Sequence, residues 1–335
     1  MKRIDQVLAF LAYSRRVVMQ LFNYRTAKFF YLIFRGFTPN KGIYYDFKTH
    51  GYNSYVTDYS RYLKTVFINY KFRNLFKDKF VSYFYLKQFT DKVVPIYALI
   101  DGGLPFLIKE NTTLENLLKS EGKFVIKPRM GRGGEGVVVL EVINGKYHLN
   151  GAPVSFPNLF TRFKDHILVP YVTPHDYAVK INPKSLNTIR LLTCVLDDEV
   201  LVLRAGHRFG GKNTGFVDNF AQGGISANIN VETGEIDDPT ALDGKTFKKL
   251  KVFTHPDSKE KISGIKIPYW HTVKRDIVKL HDSMKYIKYV GWDIAITPED
   301  YRIIEANYVS DLDGLQMHAP LLTNEISRKF YYQYI

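Results

Sequence analysis

Along residues 1–35 apolar positions recur at helical spacing: Val7, Leu8, Leu11 and Ala12, then Val18, Leu21 and Phe22, with basic residues between them. That period predicts one or two amphipathic helices. A loop at 36–42, carrying Gly36, Pro39 and Gly42, leads to a second helical stretch at 59–90. It is rich in Tyr, Phe and Lys and free of Gly and Pro from 60 to 90. From 93 the pattern shortens to strand-length runs. Strands are expected at 94–100 and 105–108, then a short helix at 113–120 capped by Thr112 or Thr113. Two further strands, 124–129 and 137–142, flank a glycine-rich loop at 130–136, and Asn144-Gly145 turns the chain into 146–149.

Further on, 167–172 reads as a strand, and 185–196 as a long one that turns at Asp197-Asp198 into 200–206. A loop at 207–224 places Arg208, Lys212, Asp218, Asn219 and Gln222 among glycines. Such residues are poor core material, so a binding role is expected there. A strand at 225–231, a turn at 232–234 and an extended loop at 255–268 precede a helix at 270–285, with Val273, Ile277, Leu280 and Met284 on one face. The chain closes with a helix at 322–332.

Between the last two helices lies a chemically distinctive pair of runs, 291–296 and 301–307, joined by Thr297-Pro298-Glu299-Asp300. Alternation and a turn signal predict a β-hairpin. Glu305 and Asn307 fall on one face of the second strand, and a register that sets Asp293 opposite them gathers three oxygen-bearing side chains. Hard divalent cations take carboxylate and amide oxygens, commonly beside substrate phosphates. Equally, such a triplet describes a solvated hairpin face.

Charge changes the picture of the N-terminal third. The 335 residues carry a net +14, and residues 1–95 hold 17 Lys/Arg against 5 Asp/Glu, so +12 of it resides there, with 25 of the 50 aromatic residues. A basic aromatic segment suits anionic lipid or an acidic polymer. It equally suits a helical domain with a solvated exterior, and no nucleic-acid recognition motif accompanies it. No run of about 18 uninterrupted apolar residues is present; 17–37 is broken by Arg25, Lys28 and Arg35. A signal-peptide cleavage pattern is absent, so the expected location is cytoplasmic, with peripheral contact at the inner membrane face. The single cysteine, Cys194, sits in an apolar run and reads as a small buried hydrophobe.

The glycine-rich tip at 130–136, preceded by Lys127, suits phosphate. Glycines let backbone N–H groups approach phosphate oxygens, and the lysine adds a point charge. The spacing fits neither the P-loop, since no Gly-Lys-Ser/Thr follows, nor the dinucleotide fingerprint, since a strand follows the glycines.

Together these segments resemble the ATP-grasp superfamily over residues 90–325. The features in register are Val125-Ile126-Lys127-Pro128 with Gly131 to Gly136, the strand 167–171, and Asp293 with Glu305-x-Asn307. Ser185-Leu186-Asn187-Thr188-Ile189-Arg190, Val217-Asp218-Asn219 with Gly223-Gly224, and Gly291-Trp292-Asp293 look like the sugar-transfer-associated branch, linked to polysaccharide biosynthesis. The resemblance implies an α+β, ATP-grasp fold, two lobes clasping ATP. It would comprise a glycine-loop lobe at 93–172 and a metal-binding lobe at 173–335, after a basic, mainly helical N-terminal domain at 1–92.

Residue by residue, the resemblance implies that Lys127 binds the α/β-phosphates while Gly131, Arg132, Gly133, Gly134 and Gly136 close over them. Val169 and Tyr171 would meet adenine through backbone groups, although Pro170 lacks a donor where the family often has an acidic residue. His175 or Asp176 would reach the ribose. Asp293, Glu305 and Asn307 would hold one or two Mg²⁺, or Mn²⁺, with Glu305 bridging. Arg190, Arg208 and Asn219 form the implied catalytic set, the two arginines meeting the transferred phosphate and acyl-phosphate charge. Asn187, His207, Gln222, Gly223 and Gly224 would shape the acceptor side, and Asp313 would bind the amine.

The implied activity is a carboxylate–amine ligase, joining an amino acid or amine to a uronic-acid sugar of a capsule, O-antigen or exopolysaccharide. Expected partners are a sugar-acid or glycan substrate and an amine, with peripheral contact to anionic membrane or a lipid-linked glycan and no nucleic acid. Two alternatives stand beside it. One is an ATP-grasp enzyme on a small metabolite, peptide-forming or kinase-like; the other is a nonenzymatic membrane- or glycan-binding module.

Overall fold

A computed structural model describes the chain except for residues 1, 24–25, 132, 212–213, 215–217, 219, 221–222 and 244–247. Two seven-stranded antiparallel sheets carry it. The first is built from β1 (Ala98–Asp101), β2 (Leu104–Leu107), β3 (Lys123–Pro128), β4 (Val138–Ile143), β5 (Lys146–Leu149), β6 (Ala152–Val154) and β7 (His166–Pro170), in the order β2-β1-β7-β3-β4-β5-β6. The second comprises β8 (Ile189–Leu196), β9 (Glu199–Phe209), β10 (Ile225–Ile229), β11 (Ile236–Leu242), β12 (Lys249–Lys251), β13 (Tyr289–Ile296) and β14 (Tyr301–Asn307), in the order β12-β11-β10-β9-β8-β13-β14.

Alternation within β3 decides which face does what. Phe124 and Ile126 are buried with Ile100, Leu118, Leu140 and Leu168 in the core of the first lobe. Val125 and Lys127 therefore point the other way. In the second lobe the helix Trp270–Asp282 lays Trp270, Val273, Ile277 and Leu280 on the sheet, against residues such as Ile189, Leu191, Trp292 and Ile294. This helix ends close to the sequence expectation. Gly234 permits the packing, because a Cβ there would sit 2.4 Å from the Trp270 ring.

The stretch at 59–90 departs from expectation. Instead of long helices it breaks into Asp58–Leu63, Asn74–Lys77 and Lys79–Leu86 with 3₁₀ turns between them. Thr65, Val66 and Ile68 are poor helix formers. Asn69 is also used for a tertiary anchor: its amide donates to the Tyr289 carbonyl at 2.5 Å, and its oxygen accepts from the Lys288 N–H at 2.8 Å. Asp78 then restarts the helix as an N-cap, accepting from the Phe80 and Val81 N–H groups. Strands β6, β11 and β12 carry no clear period, and β9 runs to Phe209 rather than stopping at 206, because Ile225 pairs with Phe209.

Residues 1–92 connect to both lobes. Leu32, Phe37, Tyr45 and Tyr55 form a small aromatic core. Val56 packs with Leu192 and Cys194, Phe76 and Leu86 enter the second-lobe core, and Tyr83 joins Val94, Ile96, Ile167 and Val169. Lys41, almost wholly buried, pairs with Asp58 at 3.2 Å and Asp313 at 2.9 Å. Paired on both sides, that charge is satisfied. Among the described residues no helix is long and apolar enough to cross a membrane.

Candidate active site

The outward residues of β3 form one wall of a cleft of about 490 Å³ between the two sheets. Val125, Lys127, Val139 and Val169 line it, with Gly131, Gly133, Gly134 and Glu135 at its rim. Gly133, Gly134 and Gly136 hold φ of +70°, +75° and +74°, the left-handed region that glycine enters without strain. Arg132 lies outside the described residues.

The side chain of Lys127 makes no hydrogen bond or ion pair among the described residues. Burial pushes its ammonium down to about 8, against the pull of Glu305. A second lysine, which sequence reasoning did not single out, stands beside it. Lys79, at the start of the helix Lys79–Leu86, donates to the Gly131 carbonyl at 3.1 Å and lies 3.6 Å from the Glu305 carboxylate. It therefore spans from the glycine loop to the opposite wall. Several other lysines and arginines lie nearby in the sequence, among them Lys71, Arg73 and Lys77, so no local signal marked it.

The opposite wall is the hairpin of β13 and β14. The register sets Asp293 directly across from Glu305 and Gly291 across from Asn307, with a bulge after Asp293. The expected convergence of Asp293, Glu305 and Asn307 is present, and all three line the cleft. Asp293 is also gripped from β8 and β9. Arg190 donates to both its oxygens, at 2.6 and 3.1 Å, and the Arg208 guanidinium lies 2.8 Å from Oδ1. Burial pushes the Asp293 carboxyl up, but the two arginine charges outweigh it and hold the group below the ordinary carboxylate range. Arg190 also donates to the Ser310 hydroxyl at 2.9 Å. Gly291 makes room for that serine, since a Cβ there would meet Ser310 Oγ at 2.8 Å.

Among the described residues no three His, Cys, Asp or Glu side chains group as a metal centre. The donor set here is two carboxylates and an amide, facing one another across paired strands. Ionised Asp293, Glu305 and the Asn307 oxygen fit a hard divalent cation bound beside phosphates.

Arg208 is positioned by its neighbours: it donates to Thr188 Oγ1 at 2.5 Å, and Asp218 accepts from the Thr188 N–H and hydroxyl at 2.5 and 2.6 Å. Thr188 and Asp218 line the cleft too. At the far end Arg16 and Arg61, from the N-terminal segment, join Asp311 and Tyr62 in the lining. Nothing in the sequence linked those positions to a cleft whose other lining residues lie in distant parts of the chain.

Several expected site residues sit elsewhere. The side chain of Asn187 is spent on structure: its oxygen accepts from Ser185 Oγ and the Gly210 N–H, and its amide donates to the Ala178 and Asn182 carbonyls. His207 is fully buried, 2.7 Å from the Tyr177 hydroxyl and stacked on Phe209, and burial pushes its imidazole down to about 3. His175 caps the helix Asp176–Ile181, and neither His175 nor Asp176 lines the cleft. Asp313 points to Lys41 and Arg16 in the buried ion-pair cluster. Val169 and Tyr171 both line the cleft, although the Tyr171 N–H is taken by the Lys123 carbonyl at 3.2 Å. Gly223 adopts φ +99° and Gly224 is buried, outside the cleft lining. Asn219 and Gln222 lie outside the described residues.

Comparison with known proteins gives the following. Residues 59–328 match the model of a family described as sugar-transfer associated ATP-grasp. No curated protein matches. Among solved structures, a biotin carboxylase from Campylobacter jejuni is similar at 14% identity and TM-score 0.44, over 77% of this chain and 46% of that one. An L-amino acid ligase from Bacillus licheniformis is similar at 9% identity and TM-score 0.43, over 78% and 49%. An N5-carboxyaminoimidazole ribonucleotide synthetase solved with ADP aligns at 10% identity and TM-score 0.42, over 72% and 46%. This chain spans less than half the length of each.

Proposed function

The chain belongs to the sugar-transfer-associated ATP-grasp family, and on that basis we propose that it is an ATP-dependent, ADP-forming carboxylate–amine ligase whose carboxylate is carried by a sugar acid. One observation carries the proposal. A single cleft faces Lys127 and its glycine loop, on one sheet, toward Asp293, Glu305 and Asn307 on the other.

ATP would lie between the sheets, its adenine against Val169 and Tyr171 and its phosphates under the glycine loop. Lys127 has no competing carboxylate within ion-pair distance, so its charge is available to phosphate oxygens. Lys79 braces the loop against the hairpin. Asp293, Glu305 and Asn307 would hold one or two Mg²⁺, or Mn²⁺, which supplies neutralisation of the phosphate charge. Arg190 and Arg208 are fixed beside those carboxylates, where negative charge on the transferred phosphoryl group develops. Phosphoryl transfer is mostly positioning and electrostatics, so no side-chain nucleophile is required.

In the proposed reaction a substrate carboxylate oxygen attacks the γ-phosphorus and ADP leaves. The amine then attacks the acyl carbon, loses a proton and expels phosphate, leaving an amide. The sugar acid is supported by the family's description and by the cations Arg16 and Arg61, which line the far end of the cleft. Capsule, O-antigen or exopolysaccharide assembly is the setting such an amide would serve. The test is ADP release by the purified protein with panels of uronates and amino acids. Release that needs both partners supports the proposal, and ATP turnover indifferent to every carboxylate overturns it.

A further inference from the structure

The N-terminal helix α1 (Lys2–Leu21) has two unlike faces. Inward, Tyr13 and Val17 are buried, Tyr13 packs on Tyr59 and Tyr62, and Asp5 meets Arg73 at 3.1 Å and the Tyr70 hydroxyl at 2.5 Å. Outward, Ile4, Leu8, Leu11 and Val18 are 48–66% exposed and Phe22, which follows the helix, is 87% exposed. They recur at three- and four-residue intervals or their sum, so they share one face of the helix, which the exposed Arg15 interrupts between Leu11 and Val18. Phe30 and Phe34, in the following 3₁₀ segment Ala27–Arg35, are 56% and 85% exposed. A stripe of this extent on water is not explained by the packing of this chain.

We propose that the outward face of α1 is a docking surface for an anionic lipid bilayer. Charge selects that occupant. Residues 1–45 contain eight Lys/Arg and a single acid, Asp5, which is turned inward. Arg3, Arg15, Lys28 and Arg35 are exposed around the apolar positions. Apolar side chains rimmed by cations and free of carboxylates match acyl chains beneath anionic headgroups. A second copy of the chain would bring like charges together. Since α1 is too polar to span a bilayer, it would lie in the interface. Arg16, on the same helix, lines the cleft, so docking places one end of the cleft near the membrane surface. The inference is independent of which reaction the cleft performs.

Flotation of the full chain with vesicles of equal parts phosphatidylglycerol and phosphatidylcholine tests it, with pure phosphatidylcholine as the control. The chain should float with the anionic vesicles, less so as salt is raised. The double variant Leu8→Glu/Leu11→Glu should lose at least about tenfold in binding, while Arg15→Glu should weaken it and make what remains less sensitive to salt. Unchanged far-ultraviolet circular dichroism and unchanged ATP binding in these variants separate lost docking from misfolding. The inference is overturned if the wild type ignores anionic vesicles. It is equally overturned if sedimentation shows a dimer that the double variant dissociates while vesicle binding stays the same.

Discussion

Arg190 holds Asp293 through two parallel hydrogen bonds, Nε to Oδ1 at 2.6 Å and Nη2 to Oδ2 at 3.1 Å. The fork fixes the plane of the carboxylate and keeps it ionised in a buried place. It also brings a cation to the point where, on the proposed reading, metal and phosphate charge would meet, so one pair would serve stability and chemistry together.

Removing the fork should therefore cost both. Arg190→Ala leaves Asp293 buried with Arg208 alone, and urea unfolding should show a loss of about 3 kcal/mol. ADP formation should fall at least about a hundredfold. Arg190→Lys keeps charge without the planar fork and should recover part of the stability but little of the rate.

Lys127 offers a pH test with opposite signs. Its ammonium titrates near 8 in the free protein, below its ordinary 10.5. Between these values the unfolded chain holds more protons, so this group makes stability rise with pH in that window. ATP binding should do the reverse, weakening roughly tenfold from about pH 7 to about pH 9 as the charge is lost. Calorimetric titration of the wild type and Lys127→Ala checks this. The variant should bind ATP roughly 10- to 100-fold more weakly at neutral pH and lose most of the pH dependence.

Gly136 isolates the loop. Its φ is +74°, and a Cβ would come within 2.9 Å of Pro128 Cγ. Gly136→Ala should cost about 1–3 kcal/mol and weaken ATP binding without touching Lys127. Thermal shift with and without ATP·Mg²⁺ reads both effects.

Asn187 should behave as structure alone. Asn187→Ala strips four buried hydrogen bonds, and the expected loss is about 2–3 kcal/mol with KM for every substrate unchanged at a temperature where the variant is folded. A raised KM with unaltered melting would place it in the substrate site instead.

How much of this was legible in the sequence follows from distance along the chain. Lys127 and the Asp293–Glu305–Asn307 hairpin were readable because alternation and turn residues set their geometry locally. The pairing register then brought Asp293 opposite Glu305. The internal bonding of Asn187 and His207 was not legible, because amides and imidazoles look alike in a sequence whether they bind a ligand or satisfy a buried turn. Only the Ala178, Asn182 and Gly210 backbone partners, distant or local, distinguish the two. Lys79, Arg16 and Arg61 were invisible because their role depends on where the N-terminal segment folds back over the cleft. The broken helices at 58–86 were hidden for the same reason, with Asn69 anchored to Tyr289 across 220 residues.

The most direct test of the central claim is ADP release coupled to product mass, measured on the purified chain with Mg²⁺·ATP. With a uronate and an amine supplied together, ADP should appear in step with a product heavier than the uronate by the amine less one water, and Lys127→Ala and Glu305→Ala should abolish both. ADP release that is the same with and without any carboxylate, or that survives both substitutions, would contradict it.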